Sequence, residues 1–201
     1  MKRILAALTA ISLTFSAAHA AVFDFVAEAA ANPGSIPQGY VMSAGGIDLS
    51  ITASPVNPYL DPVFSSRPGG LGACTVIAWA TDFCDPNIAG NTDNVGVGES
   101  VTLTFGQKVD ISNLSFNSGN HKSLNNSPQT LLVNGVQWTF QNLIAAALSG
   151  ITVLTLAYGG SNATEFYVSS LTAVPIPAAA PLLLSGLAGL AFAGRRKRKA
   201  A

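Results

Sequence analysis

Side-chain polarity along the middle of this 201-residue chain alternates at every second position. Ile47, Leu49 and Ile51 are separated by Asp48 and Ser50, and Val101, Leu103 and Phe105 by Thr102 and Thr104. Successive side chains of an extended strand point to opposite faces, so this period buries one face and wets the other. Only residues 23–31 and 142–148 show any helical tendency.

The rest of the central region follows the same logic. Val109 and Ile111 occupy one parity and Leu114 and Phe116 the other, which predicts a bulge near Ser112-Asn113. Asn134-Gly135 between Val133 and Val136 is a two-residue hairpin signal, with Val136, Trp138 and Phe140 then expected to alternate inward. Residues 151–158 are β-branched and apolar. Ser149-Gly150 and Gly159-Gly160 cut that region into pieces too short to span a bilayer, so it reads as a core strand. Residues 166–171 make a last strand. Residues 57–98 carry Pro58, Pro62, Pro68, Pro86 and many glycines, and read as surface loops with one short strand at 75–80. Short strands with Gly, Pro and Asn punctuation imply an all-β, antiparallel β-sandwich of jelly-roll-like type.

Both ends of the chain differ from this body. Lys2 and Arg3 precede an apolar run at 4–15, and Ala18-His19-Ala20 fits a small-x-small cleavage site. Residues 1–20 therefore read as a signal peptide, cut after Ala20. Residues 174–201 have three parts: the uncharged Val174-Pro175-Ile176-Pro177-Ala178, an apolar run, and the cations Arg195, Arg196, Lys197, Arg198 and Lys199. An apolar helix followed by a basic block stops in a membrane with the basic end cytoplasmic. As a helix, residues 178–194 would rise roughly 25 Å, slightly short of a ~30 Å hydrocarbon core. Ser185, Gly189 and Ala193 place small residues every fourth position, which lets another helix approach closely. Between the end segments, residues 21–173 form the extracytoplasmic domain. It holds three cations, Arg67, Lys108 and Lys122, against all ten acids, and so is acidic. Nucleic-acid binding needs a basic footprint and is excluded on that ground.

On the motif Val174–Ala178, the apolar run and the basic block, the tail resembles the PEP-CTERM class of bacterial sorting signals, in its Val-Pro-hydrophobic-Pro-Ala variant. Ile176 stands where the common form has Glu. The resemblance implies a membrane-embedded, exosortase-like cysteine protease as partner. It implies an inner-membrane-anchored precursor, removal of the tail, and delivery to the cell surface or an exopolysaccharide-rich extracellular matrix. An ordinary transmembrane anchor is the other reading of the same residues. The body resembles, more loosely, exported β-sandwich domains that precede such tails, on GLGACTV, NTDNVGVGESVTLTF, LSFNSGNH and SNATEFYVSSLT. No activity comes with that resemblance.

Candidate chemistry is sparse. Cys74 and Cys84 are the only cysteines, and in an exported chain they read as one disulfide, worth about 2–3 kcal/mol for so short a loop. Asp82, Asp85, Asn91, Asp93, Asn94 and Glu99 are hard oxygen donors on a Gly-rich stretch and suit calcium, although the spacing is not that of an EF-hand. Solvated turn residues are the alternative. His121 is the one histidine left after signal removal. A hydrolase would have to use it with Asp110 or another acid, but no G-x-S-x-G elbow occurs. Trp79, Trp138, Tyr40, Tyr59, Tyr158 and Tyr167 could stack on sugars, with Tyr59 in its Pro-rich stretch the best exposed candidate and Trp138 buried. The sequence thus points to a non-enzymatic envelope or matrix protein. A carbohydrate- or calcium-binding adhesive module is the alternative, and a secreted hydrolase the third reading.

Overall fold

The computed structural model describes residues 19–64, 67–74 and 93–176. The unit His19–Ile176 is all-β and antiparallel. Its strands are β1 (Ala21–Asp24), β2 (Gly34–Ser35), β3 (Tyr40–Ala44), β4 (Ile47–Ser54), β5 (Asn57–Phe64), β6 (Arg67–Cys74), β7 (Ser100–Ser118), β8 (Thr130–Val133), β9 (Val136–Thr139), β10 (Leu148–Ala157) and β11 (Phe166–Pro175). Two short helices, α1 (Phe25–Ala31) and α2 (Phe140–Ala145), fall within or beside the stretches with helical tendency. Asp24 caps α1 by accepting from the Ala27 amide at 2.9 Å, and Phe25 and Ala29, one turn apart, are its buried face.

The long β7 organises the sheet. Its first half pairs with β4 on one side and β10 on the other, with Ile51 opposite Leu103 and Leu154 opposite Leu103. Its second half pairs with β11, Phe116 facing Val168. Beyond β4 lies β3, beyond β10 the β8–β9 hairpin, and beyond β11 the β5–β6 hairpin with β2 at its edge. The pairing is consistent with a sandwich. The predicted bulge is present: register against β11 shifts between Ser115 and Ser112, and Asn113 adopts φ +50°. That single inserted residue keeps Val109, Ile111, Leu114 and Phe116 all buried despite the change of parity.

The inward residues of β4, β7 and β10 meet Phe23, Phe105 and the Phe116–Phe140–Phe166 group, whose rings pack edge to face at 5.1–5.8 Å. Asn134-Gly135 forms the expected two-residue turn, with φ +48° and +80°. Asn134 also accepts from the Thr155 amide at 2.8 Å, so the turn is stitched to β10.

Three expectations are corrected. Residues 57–64 and 67–74 are paired antiparallel strands, not loops, with Pro58 opposite Ala73. The prolines are tolerated because the outer edge of β5 is met only by the two-residue β2, where few donors are needed. Val136 points outward, 62% exposed, because β9 is an edge strand. The last strand does not stop at residue 171 but continues into the tail motif, with Val174 opposite Asp110 and Pro175 opposite Val109. The expected strand at 75–80, the signal peptide and the apolar tail segment at 178–194 lie outside the described residues. Among the described residues no helix is long and apolar enough to cross a membrane.

Candidate functional site

Side chains alternate along β11. Phe166 and Val168 enter the apolar core, and Tyr167 between them turns to the opposite face. There it is covered, only 1% exposed, and joins a second buried layer that is polar. β5 behaves alike: Leu60 is in the core, while Tyr59 and Asp61, of the other parity, are buried outside it.

Four side chains from four parts of the chain meet in this layer. The Tyr167 hydroxyl donates to Asp93 Oδ1 at 2.5 Å. Asp93 is held by the short segment in which the Val95 amide donates to the Phe166 carbonyl at 2.8 Å. His121 stacks edge to face on Tyr167, ring centres 5.2 Å apart, and its Nε2 lies 2.6 Å from Asp61 Oδ2. Both Asp61 carboxylate oxygens are buried without a well-directed hydrogen bond. The His121–Asp61 contact is therefore electrostatic proximity more than an aimed bond. Asn117 closes one side by donating to the Gly69 carbonyl at 3.1 Å.

Local backbone chemistry makes the approach possible. Added Cβ atoms at Gly69 and Gly72 would collide with the Asp61 carboxylate and the Asp93 carbonyl. The turn 118–122 is closed by His121 N to Ser118 O at 2.7 Å and Ser118 N to Lys122 O at 2.8 Å, with His121 itself at φ +56°.

Burial dominates the electrostatics. It pushes the Asp93 carboxyl up to about 6, against the lowering by the Tyr167 hydrogen bond and with a further rise from the Asp61 charge. The Tyr167 phenol is raised by burial first and then by the two carboxylates, so it stays protonated.

Several expected site residues fall here and several do not. Of the calcium set, Asp93 binds Tyr167, Glu99 accepts from the Gly96 amide at 2.9 Å, and Asn94 donates to Glu165 at 3.4 Å. Asp82, Asp85 and Asn91 lie outside the described residues. Among the described residues no three His, Cys, Asp or Glu side chains are placed to hold a metal ion. The acid beside His121 is Asp61; Asp110 instead accepts from the Gly150 amide at 3.0 Å. Tyr59 and Tyr167 are buried, which removes them from any sugar-stacking platform, and Trp138 packs partly buried against the core. Cys74 is disulfide-bonded; Cys84, its expected partner, lies outside the described residues.

The chain matches no protein-family profile, no curated protein and no solved structure. Its chemistry rests on the residues themselves. Asp61 and Tyr167 are the members that sequence reasoning missed as partners of His121. The available signal was Asp61 sharing the parity of Tyr59, hidden because Pro58 and Pro62 made the stretch read as loop.

Proposed function

We propose that this chain is an exported, non-enzymatic protein of the cell envelope or extracellular matrix, a jelly-roll-like β-sandwich carried between two removable address segments. Residues 1–20 direct export. Residues 174–201 hold the precursor in the inner membrane, basic end inward, until an exosortase-like protease cuts near Pro177. Exopolysaccharide is then the domain's surroundings.

The observation that carries this reading is where the fold starts and stops. β1 begins at Ala21, the residue after the expected signal cut, and Ala21 pairs with Ala173 on β11. β11 then runs through Val174 and Pro175, and the Ile176 amide donates to the Lys108 carbonyl at 3.2 Å as the last described contact. The compact unit ends at Ile176. A cut after Ala20 and a cut near Pro177 thus both fall just outside paired strands and take no core residue with them.

Changing Pro175 and Pro177 together to Ala tests the reading. The expected result is a full-length species accumulating in the membrane fraction while the wild type is shortened and released. If wild type and variant both retain the tail, the chain is a plainly anchored protein and the sorting reading fails.

A further inference from the structure

The tail motif is contiguous in sequence, but the fold takes hold of its first half. Val174 and Pro175 belong to β11, opposite Asp110 and Val109 of β7, and the Ile176 amide donates to the Lys108 carbonyl at 3.2 Å. In an antiparallel pair alternate residues turn both backbone groups toward the same neighbour. The Ile176 bond therefore assigns Val174 and Ile176 to β7 and Pro175 to the opposite edge. No ladder covers that edge. β1 pairs with β11 only as far as Ala21 and Ala173, and His19 and Ala20 are exposed without strand pairing. Pro175 has no N–H, so along these three residues the edge shows one carbonyl and no donor.

That asymmetry decides how a protease can take hold of the motif. An extended peptide is gripped largely through its main-chain donors and acceptors. Met edge-on within the sheet, the three residues offer the Pro175 carbonyl alone. Parted from β7, they also offer the N–H and C=O groups of Val174 and Ile176. The parting is local and bounded. Val174 and Pro175 are half-buried and Ile176 is 42% exposed, so no core side chain leaves with them. Ala173, one residue back, is fully buried between Ala21 and Ile111, and the opening stops there. Strand ends open in this way without global unfolding.

We propose that Lys108–Asp110 of β7 are a non-contiguous part of the processing signal: they hold Val174–Ile176 in the sheet, and the tail protease acts only on molecules in which these three residues have come away from β7. This rests on the sorting reading above and adds positioning residues to it, 64–66 positions upstream of the motif residues they face. Opening is fast relative to cutting, so the rate of tail removal follows the fraction of chains that are open. Lys108 is the residue through which that fraction can be changed. It is exposed, lies outside the motif, and sits opposite Ile176 across the pair.

Pulse-labelling of the full-length chain in cells that carry out the trimming, with the shortened product followed over time, tests this. Lys108→Ile sets a β-branched apolar side chain across from Ile176 and strengthens the cross-strand pair; tail removal is expected to slow roughly 2–5-fold. Lys108→Gly weakens the strand at the same position and is expected to speed removal by roughly the same factor. Amide exchange at Ile176 in the tail-bearing protein should slow in the first variant and quicken in the second. Both variants delete the same charge, so an electrostatic effect on the membrane or the protease would move both rates in one direction. Equal rates in all three chains, or two variants shifted the same way, overturn the proposal and leave the sorting reading standing. A wild type that is never shortened sinks the sorting reading and this inference with it.

Discussion

Gly72 sets how closely the backbones of β6 and the 93–95 segment can approach, because any Cβ there would enter the space of the Asp93 carbonyl and the Asn94 Cα. The obstacle is backbone, so it cannot swing away as a side chain could. Gly72→Ala is expected to destabilise the domain by about 1–3 kcal/mol, the range for overpacking a tight contact. Urea unfolding would read this as a lower midpoint at unchanged slope; a change under about 0.5 kcal/mol, typical of an ordinary surface site, would contradict the close approach. Tyr167 carries the next share of the cluster. Tyr167→Phe removes the hydroxyl that donates to Asp93 Oδ1 while keeping the ring against His121. It should cost about 1–3 kcal/mol at pH 7.5, the penalty for a buried acceptor left unsatisfied.

Strands with one wet face announce themselves, and strands covered on both faces do not. β4 and the first half of β7 were legible because Ser and Thr alternate with Ile, Leu, Val and Phe. The β8–β9 turn was legible because Asn and Gly alone accept positive φ cheaply at both its positions. Gly135→Ala is accordingly expected to cost about 1–2 kcal/mol, the left-handed penalty for a residue with a Cβ, seen as a lowered thermal midpoint. A neutral outcome would mean that the hairpin relaxes to another turn. The β5–β6 hairpin was hidden for a physical reason. Residues 58–61 are buried on both faces, so no alternation survives, and the glycines that permit close contact look like turn residues in sequence. β9 misled in the opposite way: Val136 and Trp138 have the spacing of a core strand but sit at the sheet edge.

The polar cluster belongs to the scale of the whole molecule. Its hydrogen-bonded pair, Tyr167 and Asp93, is 74 residues apart in sequence, and His121 at the end of β7 meets Asp61 of β5 because β11 pairs with β7 on one side and with β6, the partner of β5, on the other. Spacing along the chain holds no trace of such a site, whereas the tail motif is contiguous and could be read directly. The fold joins these two kinds of information at one place. The first strand after the expected signal cut pairs with the last strand before the apolar tail, so a domain cut at both proposed sites would begin and end within one patch of sheet. The intact mass of the protein recovered from the cell surface or medium tests this account most directly. The account predicts a chain beginning at Ala21 and ending at or just beyond Ile176, well below the 20.5 kDa of the full sequence. A cytosolic species of full mass, in a cell that carries the trimming protease, would contradict it.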